Sequence, residues 1–200
     1  MEITVTRGDI TTADADAIVN AANSSLMGGG GVDGAIHRAA GPMLLDACRR
    51  VREQQYPDGF PRGKAVATPA GDLKAAWVIH TVGPVYSERR DLSDVLTSCY
   101  RESLREARRV GAHSVAFPAI SAGVYGWPMD DATRIAVETV RLMEDEVGSD
   151  IDEVTFYAFD ERAAAAFGEA LEAGVEKRSE PENGNQPLPR TEGADRGTSG

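Results

Sequence analysis

Lysine is scarce in this chain: 18 of its 21 basic residues are arginine, and 32 acids against those 21 bases leave a net charge of −11. Non-specific nucleic-acid binding and anionic-membrane binding both depend on clustered positive charge, so neither kind of partner is expected. The one tempting basic stretch, "LREARR" at residues 104–109, interleaves its arginines with acids on an amphipathic helix and reads as a solvated face. Cysteine is limited to Cys48 and Cys99, both on apolar faces of expected helices. That rules out a disulfide framework and suits two small buried hydrophobes in a reducing cytoplasm. Histidine is equally sparse. His37, His80 and His113 fall on separate elements, and no HExxH, CxxC or facial-triad spacing occurs, so no metal is expected. Also missing are a signal peptide, a lipidation motif and any run of 18 apolar residues, from which a cytoplasmic location without membrane attachment is expected.

The 200 residues suit one domain with a full core, or one domain with a tail. Residues 175–200 hold only Val175 and Leu188 as large apolar side chains, together with three prolines, and show no periodicity. Such a segment buries too little surface to fold. The expected division is therefore a folded domain at residues 1–174 and a disordered tail at residues 175–200.

Within the domain, strands are expected near residues 2–7, 17–21, 64–68, 76–82, 113–118 and 152–158. Helices are expected near 32–53 with a break at Gly41-Pro42, and at 92–110, 131–147 and 161–172. "DEVTFYAF" and "SVAFPAI" are apolar at most positions instead of alternating, as central strands covered on both faces must be. Strands separated by amphipathic helices imply a three-layer α/β/α domain around a mostly parallel sheet, with ligands at the carboxyl ends of the strands.

Two glycine-bearing loops stand at those ends. "NSSLMGGGG" joins the apolar run "AIVNAA" to the helix that begins near Val32, and its four successive glycines let bare backbone amides approach a ligand beside a helix N-terminus. Four in a row cost too much backbone entropy to be neutral padding, and the reading is an anion cradle. It is not a Walker A loop, because no Gly-Lys-Ser/Thr triplet follows. The dinucleotide fingerprint is met literally by Gly29, Gly31 and Gly34, but the acid expected about 20 residues later falls on Glu53, inside a helix. "SAGVYG", Ser121 to Gly126, supplies a second set of amides with a serine hydroxyl. Together the two loops can hold a diphosphate from both sides.

"GDIT", "IVNAANSSLMGGGGVDGAIHRAAG", "HTVGP" and "FPAISAGVYGWP", in that order, resemble the macrodomain family, and in particular its branch that deacetylates O-acetyl-ADP-ribose and removes mono-ADP-ribose from proteins. The similarity covers about residues 1–171. It implies a macrodomain fold, a six-stranded mixed sheet between helices, with ADP-ribose bound across the strand ends. Carried over by motif, Asp9 accepts a hydrogen bond from the adenine amine beside Ile10, and Phe159 stacks on the base. Gly28, Gly29, Gly30, Gly31 and Val32 on one loop, and Ser121, Ala122, Gly123, Val124 and Tyr125 on the other, enclose the diphosphate and distal ribose. Asn23, Asp33 and His37 fall on the catalytic positions: an amide that fixes the ribose, a carboxylate that takes a proton from water, and an imidazole that orients the carboxylate.

Read from the residues alone, each has a plainer alternative. Asp33 can be a helix cap, Asn23 the cap of a turn, His37 and His80 packed histidines, and Tyr125 and Trp127 surface aromatics that close a cleft. The expected activity is a hydrolase of O-acetyl-ADP-ribose and of ADP-ribose esterified to acidic protein side chains, needing no cofactor and working as a monomer. The alternatives are a non-catalytic reader of ADP-ribose, which needs the loops but not the trio, and a regulator acting by protein or RNA contact, which the acidity disfavours.

Overall fold

The computed structural model describes residues 1–179, with side chains through residue 173. Six strands, β1 (Glu2–Arg7), β2 (Ala17–Ala21), β3 (Ala65–Pro69), β4 (Trp77–Thr81), β5 (Ser114–Phe117) and β6 (Glu153–Ala158), form one sheet in the order β1-β6-β5-β2-β4-β3. Every neighbouring pair is parallel except β3 and β4. The sheet is therefore mixed and mostly parallel, as expected from the helices between the strands.

The pleat sorts the strand residues into two cores. Ala17, Val19, Ile79, Val115, Phe117, Val154 and Phe156 face one layer, made by α3 (Ser93–Arg109), α4 (Met129–Leu142), α5 (Glu144–Val147) and α6 (Glu161–Ser179). Ile18, Val78 and Ala116 face the other, made by α1 (Gly31–Ala40) and α2 (Pro42–Gln54). Both faces of the central strands are covered, which is why they carry almost no alternation in sequence. Gly41, at φ 74°, ends α1, and Pro42 opens α2 at its first position, where its missing N–H costs nothing.

Two boundaries differ from expectation. The helix expected at 131–147 starts at Met129 and breaks at Met143, with no glycine or proline to mark the break. Arg105 grips Glu146 of the short α5 through two bonds of 2.7 and 2.9 Å, which holds the displaced turn against α3. The last helix continues through Ser179, past the expected boundary at residue 174; residues 180–200, the rest of the expected tail, lie outside the described residues. The arginines of residues 104–109 pair with Glu102, Glu106 and Glu146, as a solvated face should. Among the described residues no helix is long and apolar enough to cross a membrane.

Candidate functional site

The carboxyl ends of β1, β2, β5 and β6 open into one cleft of about 660 Å³, within the range that holds a small-molecule ligand. Asp9 and Ile10 line it after β1, Asn23 and residues 30–33 after β2, Ser121 to Tyr125 after β5, and Phe159 after β6. Gly28, Gly29 and His37 do not line it. They stand behind the wall, where Gly28, at φ 86°, packs against the His37 ring. Gly28 and Gly29, expected to touch the ligand, thus stand behind the residues that face the cleft, and His37 stands beside Asp33, the carboxylate it was expected to orient.

Asp9 caps a short 3-10 turn, Ile10–Thr12, with Oδ1 accepting from the amide and hydroxyl of Thr11 at 2.9 and 2.8 Å. Its Oδ2 accepts no hydrogen bond among the described residues. Phe159 is 89% exposed on the rim, and no aromatic ring among the described residues packs against it. Trp127 is not a surface aromatic. It is 5% exposed, with Nε1 donating to Asp131 at 2.8 Å, so Tyr125 alone of that pair faces the cleft.

Both loops present unpaired amides. Gly30, Gly31 and Val32 form the N-terminal end of α1, where the first N–H groups have no helical acceptor and Gly30 offers no side-chain cap. Across the cleft, the amides of Gly123, Val124 and Tyr125 donate to no group among the described residues. Ser121 adopts φ 65°, which L side chains rarely do, and its buried Oγ has no hydrogen-bond partner. A buried hydroxyl left unpaired costs roughly 1–3 kcal/mol, and strain plus an orphan donor beside open space points to a polar ligand. Gly83, from "HTVGP", makes the space: a methyl group there would collide with Ser121 Oγ and come within 2.8 Å of Ile120 Cγ2.

Asp33 sits at the third position of α1, whose cap is Gly30, so it is not the helix cap. Its side chain is 5% exposed. Oδ1 accepts from Asn20 Nδ2 at 2.8 Å and lies 3.5 Å from His37 Nε2. Burial raises its pKa above the usual carboxylate range, opposed by the Asn20 bond and by His37. Oδ2 accepts no hydrogen bond among the described residues; Asp33 and Asn23 both line the cleft, and a methyl group at Gly29 would come within 3.1 Å of Asn23 Nδ2 and 3.2 Å of Asp33 Oδ2. Asn23 does cap its own turn, through Ser25, and its Nδ2 also reaches Gly28 O at 3.1 Å. The loop is pinned from below by Arg52, which donates to the carbonyls of Ser24, Ser25, Tyr56 and Pro57.

Asn20 is the buried partner of Asp33 that sequence reasoning missed. The orienting contact expected of His37 is longer than the one Asn20 makes, and Asn20 is fully buried on β2. Beneath it lies His80, whose Nδ1 is 3.2 Å from Asn20 Nδ2 and whose Nε2 is 2.9 Å from Thr68 Oγ1 and 3.5 Å from Cys48 Sγ. Full burial drives the His80 pKa down to about 3, and burial together with Asp33 pushes the Cys48 thiol up to about 12. His37, Cys48 and His80 bring three donor atoms within 4.8 Å of one another, near enough for a metal. A protonated thiol and an imidazole nitrogen already bonded to Thr68 fit a hydrogen-bond network better. The signal was available: asparagine and histidine inside the apolar runs "AIVNAA" and "VIHTVG" are polar side chains that must be satisfied in a core.

Sheet order, two amide-lined loops and a buried carboxylate define a three-layer α/β/α domain built around a polar-ended ligand cleft. The chain belongs to the Macro domain family, whose profile matches residues 19–136. A macro domain-containing protein of Streptomyces coelicolor is 62% identical over 169 residues, 84% of this chain and 98% of that protein. The O-acetyl-ADP-ribose deacetylase of Klebsiella pneumoniae is 52% identical over 166 residues, 82% of this chain and 93% of that one. Among solved structures, a mutant Oceanobacillus iheyensis macrodomain with ADPR superposes with a TM-score of 0.81 at 41% identity, covering 87% of this chain and 92% of that one.

Proposed function

We propose that this macrodomain is a hydrolase that binds ADP-ribose, deacetylates O-acetyl-ADP-ribose and removes mono-ADP-ribose from acidic side chains of proteins. The observation that carries the reading is Asp33. A reader of ADP-ribose needs the two amide loops and an adenine site, but it gains nothing from a carboxylate buried at the cleft floor, tied at one oxygen and bare at the other. Such a group is a general base in waiting. Burial makes it a stronger base than a free aspartate, while at neutral pH the Asn20 bond and His37 favour its ionised form.

In this reading the adenine amine donates to Asp9 Oδ2 and the base stacks on Phe159. The diphosphate lies between the amides of residues 30–32 and those of residues 123–125, with the Ser121 hydroxyl turned to it. These are main-chain donors, which an acidic chain can offer without arginine or lysine. The distal ribose lies beside Asn23, which orients its hydroxyls. Asp33 Oδ2 takes a proton from a water that attacks the ester carbonyl and returns it to the ribose oxygen as the acyl C–O bond breaks, so that the products are ADP-ribose and a carboxylic acid that ionises in solution. The identity of the Klebsiella deacetylase supports the chemistry, and the ADPR-bound Oceanobacillus structure supports the ligand. Turnover of O-acetyl-ADP-ribose by the purified chain tests the reading; tight ADP-ribose binding without turnover would leave the reader in its place. The expected cytoplasmic location and monomeric state belong to the same proposal.

A further inference from the structure

Asn20 carries one nitrogen with two hydrogens and one oxygen, and all of it is buried. The nitrogen serves both Asp33 Oδ1 and His80 Nδ1, while the oxygen has no partner among the described residues. Leaving a buried carbonyl unpaired is costly, and a flipped amide would bring that oxygen to His80 Nδ1 if the imidazole proton were on that nitrogen. The ring proton therefore decides which end of the amide meets the carboxylate. His80 Nε2 lies 2.9 Å from Thr68 Oγ1 and 3.5 Å from Cys48 Sγ, either of which can accept a proton held on that nitrogen. A proton held there leaves Nδ1 bare, and a bare Nδ1 demands a donor.

We propose that His80 and Thr68 are positioning residues for Asp33: by holding the imidazole as its Nε2–H tautomer they turn the Asn20 amide nitrogen toward the carboxylate and leave Asp33 Oδ2 as the free oxygen. The proposal rests on the reading of Asp33 as general base and adds the groups that aim it. The line crosses three adjacent strands. Asn20 on β2 and His80 on β4 are register partners, and Thr68 lies on the edge strand β3 on the same face. If the tautomer were reversed, the amide would turn its oxygen to Asp33 Oδ1, and two acceptors 2.8 Å apart would force the carboxyl to hold its proton. A protonated Asp33 cannot act as a base. The other groups facing Asp33 are His37 on its own helix, Cys48 on α2 and Asn23 on the loop. None of them approaches Oδ1 as closely as Asn20.

The test uses the full chain. Long-range ¹H–¹⁵N spectra of the His80 ring at neutral pH are expected to show Nε2 protonated and Nδ1 bare; a protonated Nδ1 overturns the proposal. Thr68→Val keeps the shape and removes the acceptor, whereas Thr68→Ser restores it. In Thr68→Val the Asp33 carboxyl, followed by ¹³C shift, is expected to titrate at higher pH. The rate constant for deacetylation should fall about tenfold, the worth of one oriented hydrogen bond, with the Kd for ADP-ribose unchanged. Thr68→Ser should return both toward wild type. An Asp33 titration that does not move, or equal losses in kcat and in ADP-ribose affinity, would assign Thr68 to packing alone. If the wild-type chain binds ADP-ribose but turns nothing over, the hydrolase reading fails by itself, and the ring-nitrogen spectra and the carboxyl titration still decide whether the relay exists.

Discussion

Replacing Asp33 with asparagine separates a catalytic carboxylate from a structural one. The change keeps size and shape, and the new amide can turn its oxygen to Asn20, so no cavity opens and the buried donor keeps an acceptor. The pH dependence of stability follows from the raised pKa. An acid whose folded pKa lies above its unfolded value opposes folding once the pH passes that unfolded value, and the opposition is complete above the folded pKa. Asp33→Asn should therefore melt no lower than wild type at neutral pH, and any gain should vanish as the pH falls toward the ordinary carboxylate range. Asp33→Ala differs, because it strands the Asn20 donor at a cost of about 1–3 kcal/mol, offset by the lost charge burial. Affinity for ADP-ribose should stay within a few-fold in both variants, since the cradle is made of main-chain amides. Single-turnover deacetylation should drop by roughly 10² to 10⁴, the usual contribution of a general base. Melting, calorimetry and single turnover on one preparation of Asp33→Asn give all three quantities. Full turnover in a folded, ligand-binding Asp33→Asn protein would refute the assignment.

Gly83→Ala should push Ser121 out of its left-handed position, weakening ADP-ribose by about 1–3 kcal/mol while leaving the fold intact, as calorimetry and circular dichroism would report. Gly30→Glu should fold normally, because φ at Gly30 is −92° and the space beside it is open, yet lose binding by setting a like charge against the diphosphate; near-normal affinity would move the phosphate site elsewhere. Asp9→Ala should weaken ADP-ribose by roughly 1.5–3 kcal/mol and narrow the preference for adenine over other bases, and an unchanged preference would count against Asp9 as the adenine reader.

Much of the fold was legible because its elements are locally determined. Buried strands such as β5 and β6 are continuous apolar runs, and Gly41-Pro42 marks one helix boundary by chemistry that no other residues supply. The break at Met143 was not legible, since it depends on Arg105, far away in sequence, gripping Glu146. The site divided in the same way. Glycine loops, Asp9, Asn23 and Asp33 stand next to strand ends and announce themselves by composition. Asn20 and His80 are conspicuous only as polar residues inside apolar runs, and Thr68 not at all, because their partners lie on other strands or helices that only the sheet order brings near. Gly28 and Gly29 were expected against the ligand and instead lie behind the wall; the periodicity of α1 puts Asp33 and His37 on one face without saying how deep that face lies.

The register of β2 against β4 has a consequence for how the molecule ages in solution. Asn20 and His80 sit opposite each other in the middle of the sheet, so their main-chain hydrogens should exchange with deuterium only when the whole domain opens. The cradle amides of residues 30–32 and 123–125 have no such protection and should exchange from the native state within moments. The loops at the cleft and the strands beneath them thus differ widely in how long their main-chain hydrogens last.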